Sequence, residues 1–168
     1  SEPMTRLGSK ITAIDASKKN ISVAKAHAKK SNLNITYLNN VPENLNTQDK
    51  FDVILNLEVV EHVENLDLYL KSCFKLLKPK GIMFTATLNR TLTAYIKAIV
   101  GAEYVLRWLP IGTHDWNKFI RPEELERKLT DLNFSIKELT GLSFNPFFKE
   151  WKRTKDLSVN YILVAQKN

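Results

Sequence analysis

Apolar and polar positions alternate with two periods along the first half of the chain. Lys10–Asp15, KITAID, alternates toward a terminal acid and predicts a strand. Ser17 is placed to cap a helix whose apolar positions are Ile21, Val23, Ala24, Ala26 and Ala28, with lysines on the opposite face. Asn34–Leu38 predicts a second strand, and the polar stretch Asn39–Lys50, with Pro42, predicts a loop. Phe51–Asn56 is a short, nearly continuous apolar run, and its β-branched content predicts a strand buried on both faces. Leu66, Leu70, Phe74 and Leu77 fall at helical spacing, and Lys78-Pro79-Lys80-Gly81 predicts the turn that ends that helix. Ile82–Leu88 predicts another strand. Strands alternating with helices predict an α/β fold with a doubly wound sheet.

Beyond Leu88 the pattern changes. Thr91–Trp108 is apolar at helical spacing, with Gly101 inside it, and Leu109–Arg121 predicts a loop. Pro122 sits where the first turn of a short helix would start. Phe134–Leu139 and Leu157–Ala165 predict two closing strands, separated by Asn145-Pro146-Phe147-Phe148 and a basic stretch. The organisation expected is one domain over residues 1–168, with a helical lid or membrane-facing insertion at about 90–121. SEPMTRLG, closed by Gly8, reads as the last turns of a helix, so the chain is expected to begin inside an element.

Candidate chemistry gathers after the third strand. Glu58, Glu61 and His62 stand at i, i+3 and i+4, which would bring them onto one helical face past the strand's carboxyl end. Two carboxylates and an imidazole there could hold a divalent cation, or could stabilise the first turn of a helix. Asp15, at the end of its own strand, could accept hydrogen bonds from both hydroxyls of a ribose, or could simply close a turn. His114 and Asp115 form a second candidate pair, a histidine oriented by a carboxylate as general base. The alternative for that pair is a structural loop whose Trp116 packs. His27, on the lysine-rich helix, reads as a surface residue.

The net charge of +7 admits nucleic acid, anionic lipid or an anionic substrate. The lysines are scattered apart from clusters at Lys18–Lys19, Lys25–Lys30 and Lys149–Lys155, a distribution that favours a solvated face and no nucleic-acid partner. Cys73 is the only cysteine, so no internal disulfide can form. Arg90–Pro110 combines an apolar stripe with Arg90, Lys97 and Arg107, a composition that suits a bilayer interface as well as a lid.

LEVVEHV, LKPKG, TLNRT, VGAEYVLRWLPIGTHDWNKFIRPEEL, GLSFNP and SVNYILVAQK together resemble the UbiG-type O-methyltransferases of ubiquinone biosynthesis. The resemblance runs from SEPMTRLG to the end of the chain and implies a class I, Rossmann-like methyltransferase sheet with helices on both faces. That family carries a first strand and a glycine-rich loop ahead of the helix entered at Ser1. None of the five glycines here forms a G-x-G arrangement. The resemblance therefore implies an N-terminally incomplete methyltransferase domain.

It also implies methylation, by S-adenosylmethionine, of a catechol-type hydroxyl on a polyprenylated ubiquinone precursor. Asp15 would hold the ribose, with Ala16 and Ser17 beside it, Val41, Pro42 and Glu43 on the adenine side, and Leu57 as a further cofactor contact. Related members are magnesium-dependent at the motif matched by Glu58, Glu61 and His62, although zinc, manganese or iron suits a histidine ligand better. Expected partners are the polyprenylated phenol, anionic membrane lipid and other proteins of the ubiquinone pathway. The expected location is cytoplasmic, peripheral at the inner membrane face, or on the matrix side of a mitochondrion. The competing expectation is a non-catalytic remnant that binds a membrane or a partner.

Overall fold

The structure, a computed structural model, describes residues 1–96, 112, 115–145 and 150–168. Most of the insertion predicted at 90–121, and His114 with it, lies outside the described residues. The chain divides into two compact units, Ser1–Gln48 and Asp49–Asn168.

The first unit holds α1 (Glu2–Arg6), β1 (Thr12–Asp15), α2 (Lys18–Lys30) and β2 (Thr36–Asn39). Gly8 follows α1 at φ +92, the left-handed backbone that a helix-closing glycine supplies without strain. The Ser17 side chain accepts from the Asn20 N–H and caps α2 as its sequence position predicts. β1 and β2 pair in parallel, Thr12 opposite Thr36 and Asp15 opposite Asn39. α2 covers them through Ile21, Ala24 and Ala28, which pack with Ala13, Leu33, Ile35 and Tyr37. Parallel pairing puts both strand ends, Asp15 and Asn39, at the same edge of this small sheet.

The second unit is a five-stranded sheet in the order β3-β4-β7-β5-β6. Its strands are β3 (Phe51–Leu57), β4 (Leu77–Leu88), β5 (Phe134–Asn145), β6 (Glu150–Thr154) and β7 (Asn160–Lys167). β3 and β4 run parallel, while β7 enters antiparallel between β4 and β5, and β6 pairs antiparallel with β5. The helices α3 (Leu66–Leu76) and α5 (Pro122–Asp131) supply Tyr69, Leu70, Cys73, Leu125 and Leu129 to one core. That core also takes Met83, Tyr161, Leu163 and Ala165 from alternate positions of β4 and β7. Each fully buried leucine contributes about 1.5–3 kcal/mol over its exposed state. One turn, α4 (Leu92–Ala94), follows β4 and buries Ala94 against Leu88 and Phe119.

Two sequence expectations change here. β3 is not buried on both faces: Ile54 meets the core, whereas Val53, Leu55 and Leu57 are exposed. The reason is that the core of this unit packs on the face that Ile54 shares, leaving the face of Val53, Leu55 and Leu57 exposed among the described residues. The turn expected at Lys78–Gly81 is absorbed into β4 as an irregularity, with Lys80 at φ +63 and the β3–β4 register shifting between Phe51 and Val53.

Candidate functional site

In the first unit, Asp15 closes β1 and is half-buried. Its Oδ1 accepts from the Ser17 N–H at 2.7 Å, and its Oδ2 accepts from Asn20 Nδ2 at 3.2 Å. Each oxygen retains a second lone pair, so the carboxylate is held in orientation and can still accept from a vicinal diol. Asn39, at the end of β2, donates from Nδ2 to the Asp15 carbonyl at 2.9 Å and to the Ala16 carbonyl at 2.8 Å. The backbone that presents Asp15 is thereby tied across the strand ends. In the sequence Asn39 carries no site signal beyond its place, an amide at the carboxyl end of the neighbouring parallel strand.

Val41, Pro42 and Glu43 are half-buried, and Pro42–Asn44 forms a single 3₁₀ turn. Glu43 Oε2 is buried without a hydrogen-bond partner, an acceptor with nothing donated to it. Asp15's open lone pairs suit the hydroxyls of a vicinal diol, and the orphaned Glu43 oxygen suits an N–H donor. A cavity of about 610 Å³ lies among α1, β1 and α2, with Asp15 and Tyr37 in its lining. His27, also in that lining, is exposed and bonds Glu2, whose carboxyl it holds below the usual range.

In the second unit, Glu58, Glu61 and His62 follow β3, but not on a helix. Glu58 has φ +54, outside the right-handed helical region, and residues 60–62 form a turn closed by the His62 N–H to the Val59 carbonyl at 2.9 Å. The spacing that would stack three side chains on a helical face therefore does not do so. Glu61 is 3% exposed, and its Oε2 accepts from Thr87 Oγ1 at 2.7 Å. Its Oε1 has no hydrogen-bond partner; the nearest ion-pair contact is His62 Nε2, at 3.9 Å on a half-exposed ring.

Glu58 is exposed as a residue, yet its carboxyl lies against Glu61. Removal of that carboxyl from water, then the charge and hydrogen bonding of Glu61, raise its pKa from 4.5 to about 8. Since Glu58 reaches solvent, the adjacent carboxylate is the firmer of these causes. Two carboxyl groups thus stand side by side, and Glu58 holds its proton well above the usual carboxylate range. Among the described residues, no three His, Cys, Asp or Glu side chains converge as a metal site. Glu58, Glu61 and His62 therefore do not come together as a three-ligand centre.

Thr87 was invisible as a site residue in the sequence, where it sits among the apolar positions of β4. Beneath the turn, Asn56 is buried, with Tyr69 Oη donating to its Oδ1 at 2.8 Å, so β3's end is pinned to α3. Leu57 is 54% exposed, available for contact. Asp115, the other half of the second candidate pair, caps the turn Trp116–Lys118: its Oδ1 accepts from the Asn117 N–H at 3.0 Å and from Asn117 Nδ2 at 3.2 Å. Trp116 packs edge-on against Tyr95 and donates to the Thr91 carbonyl at 3.2 Å. The described part of that loop is thus engaged in structure.

Residues 1–85 match a family model described as a methyltransferase domain. The ubiquinone biosynthesis O-methyltransferase of Pelagibacter ubique (strain HTCC1062) is 58% identical over 168 residues, covering 100% of this chain and 70% of that protein. The enzyme of the same name from Chelativorans sp. (strain BNC1) is 51% identical over 167 residues, covering 99% of this chain and 66% of its own length. In fold, the chain is similar to magnesium protoporphyrin IX methyltransferase from Synechocystis PCC 6803 with bound S-adenosylhomocysteine. The TM-score is 0.68 at 17% identity, over 99% of this chain and 67% of that one. The chain has the α/β, Rossmann-like methyltransferase fold and belongs to the ubiquinone biosynthesis O-methyltransferases, a family of S-adenosylmethionine-dependent enzymes.

Proposed function

We propose that the protein methylates a catechol-type hydroxyl of a polyprenylated ubiquinone precursor, and that Glu58, beside Glu61, takes the phenolic proton. The observation that carries this reading is Glu61 itself: buried, fixed at one oxygen by Thr87, open at the other, and pressed against a second carboxyl. A phenol with pKa ~10 is a poor nucleophile while protonated. An ordinary carboxylate is too weak to take that proton, but one raised to about 8 comes close to matching it. Glu58 in its ionised form accepts the proton, and the phenolic oxygen gains the electron pair that forms the new bond to carbon. Glu61 keeps Glu58 basic by disfavouring a second negative charge beside it. When bound, S-adenosylmethionine supplies an electrophilic methyl group, whose bond to sulfur breaks to leave a neutral thioether. Asp15 orients the ribose, with Ala16 and Ser17 alongside and Val41 on the adenine side.

Exposed Leu92, Tyr95 and Ile96, with Trp116 beside them, support contact between this face and the prenyl chain or the bilayer that carries it. The test is methyl transfer by the full gene product from labelled S-adenosylmethionine to a polyprenylated catechol and to its monohydroxy counterpart. Label on the catechol oxygen is the result expected. Label on carbon or nitrogen, or none with either phenol while S-adenosylhomocysteine still binds, would overturn the substrate assignment.

A further inference from the structure

We propose, resting on the substrate assignment above, that Asn89 and Thr91 are positioning residues. They fix the apolar face of Leu92, Tyr95, Ile96 and Trp116 so that it receives the isoprenoid chain of the substrate. Asn89 directly follows β4 and is 8% exposed. Its Nδ2 donates to the Leu157 carbonyl and its backbone N–H to the Val159 carbonyl, each at 2.8 Å. The Thr91 hydroxyl donates to the Ser158 carbonyl and accepts from the Ala94 N–H at 3.0 Å. Three successive carbonyls, at 157, 158 and 159, are each taken by a donor from residues 89–91. That turn is itself braced, because the Ser158 N–H donates to Asp156 Oδ1 at 2.8 Å.

Thr91 joins both flanks of the face. Its carbonyl accepts from the Tyr95 N–H at 3.0 Å and from Trp116 Nε1 at 3.2 Å. Underneath, Ala94 is buried against Leu88 and Phe119. The outward residues are not packed away: Leu92 is 71% and Ile96 52% exposed, while the Tyr95 and Trp116 rings meet edge-on at 6.4 Å. A polar anchor that is buried and satisfied, under apolar side chains left in water, is the construction of a preorganised binding platform.

Place and charge identify the occupant. Thr87, which holds Glu61, precedes Leu92 on the same run of chain. The reach of that run puts Leu92 at most about 18 Å from Thr87, a span that a few isoprene units cover. A phenol at the carboxyl pair therefore has an apolar track within reach of its tail. Arg90 is the one charged residue among residues 87–96, and it is paired with Glu124. Residues 87–96 thus present hydrocarbon without a spare cation, which suits a neutral chain and not an anionic group.

The test compares a farnesylated catechol with the same catechol lacking the chain, using the full gene product. Asn89→Ala and Thr91→Val are each expected to raise KM for the farnesylated catechol about tenfold, with kcat within about twofold of wild type. Thr91→Ser, which keeps the hydroxyl, restores the wild-type KM. Leu92→Ser with Ile96→Ser raises the same KM, and adding Thr91→Val raises it no further, because the face it positions is already gone. Folding of each variant is checked by circular dichroism. If a buried variant does not fold, Trp116→Phe replaces it: it keeps an aromatic ring, removes the N–H that Thr91 accepts, and is expected to raise KM about threefold. Equal losses on both catechols, or a preference for the farnesyl chain that survives in every variant, would overturn the proposal. Calorimetry separates it from the reaction. Preferential binding of the farnesylated catechol that the variants lose, in a protein that transfers no methyl group, would support the positioning and overturn the reaction alone.

Discussion

Replacing Glu61 by glutamine tests the carboxyl pair without emptying its site. Glutamine keeps the volume and can still accept the Thr87 hydroxyl through its carbonyl oxygen. What it removes is the charge beside Glu58. Two unit charges about 4 Å apart at an effective dielectric of about 20 interact by roughly 4 kcal/mol, close to 3 pKa units. Glu58 is exposed, so solvent screening reduces this, and a fall of about 1–2 units from its value near 8 is expected. The sign for stability follows from the direction of the shift. Glu58 has a folded pKa above its reference of 4.5, so the folded state binds its proton more tightly. The stabilisation is full below about pH 4.5 and is lost as pH rises through about 8. In Glu61→Gln that loss shrinks by about 1.4–2.7 kcal/mol, the screened fall of about 1–2 units converted at about 1.36 kcal/mol each. Carboxyl ¹³C titration of glutamate-labelled protein reads the pKa, and urea unfolding at about pH 5 and about pH 9 reads the stability. A Glu58 that titrates near 4.5 in both proteins, or an unchanged pH dependence of unfolding, would refute the coupling.

Asp15→Asn should weaken S-adenosylhomocysteine binding by the full gene product by about 2–3 kcal/mol, read by calorimetry, through loss of the charge that accepts from the ribose. Lys167 Nζ donates to the carbonyls of Phe74 and Leu77, each at 2.8 Å, and lies 4.1 Å from the centre of the Phe74 ring. Lys167→Met should therefore lower unfolding stability by about 2 kcal/mol in denaturant titration, by stripping the end of α3 of its cap. A Cβ at Gly141 would stand 1.9 Å from the Asp156 carbonyl oxygen, so Gly141→Ala should cost about 3 kcal/mol and lower the thermal midpoint.

The elements whose cause is local were legible in the sequence. Ser17 caps α2 through its own side chain, Pro122 opens α5, and the apolar spacing of Leu66 and Leu70 recovers α3. The alternation in KITAID locates β1 and brings Asp15 to its end. β6 was not legible, because a solvated edge strand needs no apolar alternation: EWKRT is held by its pairing with β5, not by a buried face. Glu58, Glu61 and His62 were found as residues but misplaced in geometry. Helical spacing converges only if the backbone is helical, and Glu58 turns it into the left-handed region instead. Thr87 lies 26 residues from Glu61 and becomes its neighbour only once β4 pairs with β3. No local pattern encodes that contact.

The most direct measurement is the pH dependence of kcat/KM for methyl transfer to a polyprenylated catechol by the full gene product, compared with Glu58→Gln and Glu61→Gln. With Glu58 as the base, kcat/KM of the native protein climbs through an apparent pKa of about 8. Glu61→Gln moves that limb to lower pH, and Glu58→Gln removes it with a loss of about a hundredfold or more in rate. A limb that stays in place in both variants, at undiminished rate, would contradict the account.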